Sequence, residues 1–124
     1  MIDRYSRKIM SDIWSDQKKY EIWYEIERYA CEAQAKLGII PKEIIKTLDK
    51  NKEIIFDTER INEIEKETKH DVIAFLTFLS EKIGKDARFI HQGMTSSDML
   101  DTCFSIQLFK SSKILIEDLK DLLE

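Results

Sequence analysis

One proline, three glycines and two cysteines are all that this 124-residue sequence holds of the residues that turn, break or staple a chain. So few turn-formers count against a many-stranded sheet, which needs a turn every few residues, and favour helices. Cys31 and Cys103 stand alone, far apart, inside helical patterns, with no paired spacing around them. They read as small buried apolar residues of a reducing compartment, so neither a disulfide framework nor a zinc site is expected. No apolar run approaches the roughly 20 residues that span a bilayer, and the start "MIDRYSRKIM" lacks the apolar core of a signal peptide. The expected compartment is therefore the cytoplasm. Excess positive charge is missing too. The formal net charge is −4, and no cluster of lysine and arginine stands clear of compensating acids. A nucleic-acid binder needs a basic face to displace counterions from the phosphates, so that class is set aside.

What is present is helical periodicity. The length suits one domain. A short helix is expected over "SRKIMSDIW", and then Ser15 or Asp16 caps a longer one. Trp23, Ile26, Ala30, Ala33 and Leu37 recur by threes and fours, which places them on one face. Gly38 would supply the left-handed stop. Pro41 occupies the place of a first helical residue. Asp57 or Thr58 opens a further helix in which Ile61 and Ile64 share a face. At "ETKHDVIAFLTFLSEKIG" the pattern turns from charged to strongly apolar, which predicts a break near Lys69 and His70 and a buried helix from Asp71 to Ile83, stopped by Gly84. "KDARFIHQGM" reads as a loop. Thr95 and Asp98 have the capping-box spacing, with aspartate in place of the usual glutamate. From Ser97 the periodicity runs to the last residue, and Leu100, Phe104, Leu108, Leu115, Leu119 and Leu122 trace an apolar stripe. No capping residue follows, so the pattern reads as a helix cut in its course. Trp14, Trp23 and Tyr24 read as core or interface.

Two places could carry chemistry. "TKHDV" sets Lys69, His70 and Asp71 just before the buried helix, and "HQGMTSSD" sets His91 ahead of Thr95 and Ser96. A helix N-terminus presents unpaired amide donors and a partial positive charge, which suits a carboxylate or phosphate. The Thr95 and Ser96 hydroxyls add donors, and Gly93 lets the backbone approach closely. Ordinary capping by the same residues is the competing interpretation. Residues this close to a terminus, Arg4 and Tyr5 among them, are commonly frayed. No phosphate-binding glycine loop and no nucleophile elbow is present.

Three segments in order, "MIDRYSRKIMSDIW", "IEKETKHDVIAF" and "FIHQGMTSSDMLDT", together with "ACEAQAKLGIIPKE" between the first two, resemble the N-terminal part of the adenylosuccinate lyases. These belong to the fumarase and aspartase superfamily. The similarity covers essentially the whole chain. It implies an all-α fold, with residues 1–96 as the N-terminal helical domain and 97–124 as the beginning of a long helix entering a central bundle. It also implies a homotetramer for the full-length protein, a small-molecule nucleotide substrate, and neither cofactor nor metal. The implied reaction is a β-elimination that releases fumarate from adenylosuccinate and from a succinylated imidazole-carboxamide ribotide of purine synthesis. By the same resemblance Thr95 and Ser96 match the pair that holds the succinyl portion. Arg4 and Tyr5 match a pair contacting the nucleotide, with Arg4 suited to its phosphate. Lys69, His70 and Asp71 match a substrate-binding stretch in which an assisting role in proton transfer is implied for His70, and His91 matches a histidine placed near the phosphate. Lys69 stands where the family often has arginine, Gln92 where tyrosine is common and Met94 where leucine is common. The family's principal acid histidine and catalytic serine lie in motifs that these 124 residues do not contain, so the chain alone is expected to be inactive. A non-catalytic helical interaction module using the Leu100 to Leu122 stripe is the main alternative, and a related lyase such as the argininosuccinate enzyme is another.

Overall fold

A computed structural model describes residues 2–124 and leaves Met1 of the N-terminal motif outside the described residues. Six α-helices follow one another: α1 (Lys8–Ile13), α2 (Asp16–Lys36), α3 (Glu43–Lys50), α4 (Thr58–Thr68), α5 (Asp71–Ile83) and α6 (Ser96–Leu123). Two 3-10 segments accompany them, at Asp3–Tyr5 and Gly84–Phe89, and the described residues hold no strand. The fold is all-α, as the scarcity of turn-formers requires.

Most helix ends follow local chemistry. The Ser15 hydroxyl accepts from the Lys18 amide at 3.2 Å, and the Asp57 carboxylate accepts from the Arg60 amide at 3.0 Å. At the end of α2 the Ile39 amide donates to the Gln34 carbonyl and the Gly38 amide to the Ala35 carbonyl, the paired bonds of a Schellman turn. Gly38 sits at φ +74 there, and nothing lies within 4 Å of the place a Cβ would take. Gly38→Ala therefore meets no clash, only the left-handed backbone. Its expected cost is about 1 kcal/mol, read as a lower urea midpoint with an unchanged slope.

Two expectations about local structure need correcting. Pro41 is not a first helical residue: its carbonyl accepts from the Ile44 amide and α3 begins at Glu43, so the proline ring precedes the helix. The stretch read as a loop, "KDARFIHQGM", is 3-10 helical through Phe89. There the Ile90 amide bonds the Ala87 carbonyl, three residues back.

The core is aromatic. Tyr20 and Trp23 on α2 meet Phe75 on α5, stacked at 5.7 Å and edge-on at 5.3 Å between centroids, and Phe56 closes the cluster from the connection before α4. Ile61 and Ile64 bury α4 against α5, and Ile44 and Leu48 bury α3. The buried face of α2 differs from the expected one. It runs Tyr20, Trp23, Tyr24, Glu27, Cys31 and Ala35, while Leu37 is 74% exposed and Ala33 lies outside. Glu27 interrupts the apolar series on the true face, which displaces any count of hydrophobic residues. In α6 the packed residues are Met99, Cys103, Gln107 and Ser111, four apart. The Gln107 amide group donates to the Ile13 carbonyl at 2.9 Å and the Trp14 indole to the Ser111 hydroxyl at 3.1 Å. Phe104, Leu108, Leu115, Leu119 and Leu122 of the apolar stripe are exposed.

Candidate functional site

The break between α4 and α5 builds one half of the site. Lys69 ends α4 in the left-handed region (φ 55), which turns the chain so sharply that His70 becomes the N-cap of α5. Its Nδ1 accepts from the Ile73 amide at 3.4 Å, which assigns the ring proton to Nε2. Asp71 Oδ1 takes the Val72 amide at 2.7 Å and lies 3.4 Å from the same Nδ1. The amide and Asp71 therefore compete for one nitrogen. A neutral ring caps the helix, and a protonated ring turns Nδ1 into a donor toward Asp71.

The start of α6 builds the other half. The Ser96 hydroxyl lies 3.3 Å from His70 Nε2, joining two motifs 26 positions apart. Thr95, the N-cap, donates to Asp98 Oδ2 through its amide at 2.7 Å and its hydroxyl at 3.1 Å. These two bonds, the amide's first, hold the Asp98 carboxyl below its ordinary range. The capping box is thus formed, and it engages the Thr95 hydroxyl within the helix end. Ser96 is the hydroxyl directed away from the cap, toward the imidazole.

His91 lies in the turn that leads into α6, at φ 66, two residues before Gly93 at φ 71. Its backbone amide donates to Glu27 Oε2 at 2.9 Å, and its Nδ1 lies 2.5 Å from Glu27 Oε1. Glu27 is 1% exposed. Burial pushes its carboxyl up, and the hydrogen bonds and charge of His91 only partly pull it back. Sequence reasoning missed Glu27 altogether. The available signal was its register: four residues from both Trp23 and Cys31, on the buried face of α2.

Arg4 and Tyr5 are not brought to this corner. They are exposed on the first 3-10 segment, with the Arg4 guanidinium 5.0 Å above the Tyr5 ring. Arg7 pairs with Asp118, and α1 runs along the far part of α6. Ser96 and Asp118 are separated by about 33 Å of helix, and three residues of chain recover at most about 10 Å of that. The Arg7–Asp118 pair adds the reach of two side chains, and Arg4 and Ser96 of one copy still stand more than about 10 Å apart. Among the described residues no three of His, Cys, Asp or Glu converge as a metal-ligand set, and no helix is long and apolar enough to cross a membrane.

A sequence profile of the family described as "Lyase" matches residues 2–124. The chain belongs to the lyase family. It is similar to adenylosuccinate lyase of Bacillus subtilis, 48% identical over 120 residues, and to that of Staphylococcus saprophyticus, 46% identical over 120 residues. Each match covers 97% of this chain and 27% of the relative, so the chain spans about a quarter of their length. Among solved structures it is similar to a fumarate lyase from Mesorhizobium sp. BNC1, with a TM-score of 0.73 and 25% identity, covering 84% of this chain and 26% of that one. In this lyase chain the His70–Ser96 corner has a donor hydroxyl, an imidazole and a helix N-terminus within one contact distance. That set can hold a carboxylate and move a proton.

Proposed function

We propose that the complete protein is an adenylosuccinate lyase. It would eliminate fumarate from adenylosuccinate to leave AMP, and from the succinylated imidazole-carboxamide ribotide earlier in purine synthesis, in the cytoplasm. The observation that carries this reading is the contact between the Ser96 hydroxyl and His70 Nε2 at the N-terminus of α6. In a β-elimination a proton leaves the carbon beside a carboxylate, and negative charge accumulates on that group before the C–N bond breaks. Donors already aimed at the charge lower the barrier. Ser96 and the first amides of α6 would be those donors. Thr95 would join them by giving up its hydroxyl bond to Asp98. Lys69 supplies a positive charge beside the corner, and Asp71, 3.4 Å from His70 Nδ1, fixes the orientation of the ring. His70 would hydrogen-bond the substrate and assist proton transfer, while the principal acid and base come from family motifs outside these residues.

Arg4 and Tyr5 would contact the nucleotide, with Arg4 on its phosphate as a charge-assisted donor. Their distance from Ser96 supports a homotetramer in which the substrate meets Arg4 of one copy and the α6 corner of another. The exposed apolar residues of α6 support the same assembly: Phe104, Leu108, Leu115 and Leu119 offer a face for a helix bundle, with 97–124 as its beginning. That face also favours the second reading, a non-catalytic helical interaction module.

The test is an absorbance assay of fumarate release from adenylosuccinate. The complete protein is expected to turn over and the 124-residue chain alone to show no cleavage. A complete protein that assembles but cleaves neither purine substrate would favour the interaction module, and one that prefers argininosuccinate would move it to the related lyase.

A further inference from the structure

Glu27 is the one charged side chain among the buried described residues. A carboxylate in a core is costly unless its lone pairs are met. Here both oxygens go to a single residue: Oε2 to the backbone amide of His91 and Oε1 to its ring. The rest of the same α2 face holds neighbouring backbone in place. The Cys31 thiol points at the Phe89 carbonyl, and the Gln34 amide group donates to the Gln92 carbonyl at 2.7 Å. Three side chains spaced four and three apart thus grip residues 89–92 just before the turn into α6.

The residue chosen at position 91 matters. A backbone at φ 66 is made most cheaply by glycine, as at Gly93. Histidine accepts the left-handed strain and is secured by a buried acid, so the ring itself is the feature being held. With Nδ1 tied to Glu27, Nε2 is the nitrogen left for anything beyond the core. The ring reaches the surface at 15% side-chain exposure, on the turn that leads into α6.

We infer that Glu27 is a positioning residue for the anion-binding corner: it anchors the 91–95 turn through the His91 amide and aims the His91 ring, leaving Nε2 free of the core. Its kinetic consequence rests on the lyase reading, whereas its structural consequence does not. In the 124-residue chain, nitrogen NMR should show the His91 proton on Nδ1. Glu27→Gln should abolish that signal and raise amide exchange at residues 92–97 by at least about tenfold, while the core amides of α5 keep their protection. In the complete enzyme Glu27→Gln and His91→Gln should each lower kcat/KM roughly tenfold to a hundredfold. The double variant should lose no more than either single, and Glu27→Asp should restore part of the loss. A folded Glu27→Gln chain with wild-type protection at 92–97 would overturn the inference. So would additive losses in the double variant. If no variant at 27 folds, His91→Gln in the complete enzyme decides: an unchanged kcat/KM refutes the aiming of the ring. Should the complete protein lack lyase activity, the proposed function fails, and the exchange experiment still judges Glu27.

Discussion

Ser96→Ala in the complete enzyme is expected to lower turnover by about 10²- to 10³-fold, the loss seen when one preorganised donor to a developing oxyanion is removed. The same change should move the melting temperature by less than about 2 °C, because Ser96 is not the cap of its helix and shows no bond to a buried partner. Its hydroxyl meets His70 Nε2, and that ring remains capping α5 through Nδ1 when the serine is gone. Thr95→Ala is the informative contrast. Thr95 donates twice to Asp98, once through the hydroxyl that alanine lacks. It should therefore cost about 1 kcal/mol of stability in addition to turnover. Steady-state kinetics and thermal melts on both variants check this. Equal losses of activity and stability at Ser96 would reduce it to a structural residue.

The second large effect concerns folding. Phe75 is fully buried between Tyr20, Trp23 and Phe56, so that two aromatics of α2 and one from the connection before α4 pack on it. Phe75→Ala is expected to cost about 3–5 kcal/mol, from lost transfer energy and the cavity left among rings that cannot collapse inward. A domain of this size has about 5–15 kcal/mol in hand, so much of the chain's stability would go. Phe104→Ala removes a ring of the same size that is 53% exposed. It should change stability by less than about 0.5 kcal/mol. Urea unfolding of the two variants measures the contrast. A small loss at Phe75 would mean that the chain is held together elsewhere.

Helix ends were legible because their chemistry is local. Ser15, Gly38, Asp57, Gly84 and the Thr95–Asp98 box all stand within a few residues of the amides and carbonyls they serve. The break at Lys69 and His70 was legible for the same reason, as was the buried run from Asp71. Hydrophobic counting placed α2 wrongly because its true inner face carries Glu27, and an acid scores as surface whatever it meets. It also could not rank the two faces of α6. The richer one, with Phe104 and Leu108, lies outside, while Cys103, Gln107 and Ser111 pack inside. Small and polar side chains let α1 and α2 approach closely and supply partners for the Ile13 carbonyl and the Trp14 indole.

By itself the sequence determined the helical class, nearly every helix boundary and the two polar motifs at helix entrances, since each depends on residues close along the chain. Only the tertiary structure decided that His70 meets Ser96, that Arg4 and Tyr5 are not brought to that contact, and that His91 is tied to an acid 64 positions earlier. Those relations depend on how α2, α5 and α6 pack, and packing answers to shape and buried hydrogen bonds that no local pattern of residues encodes.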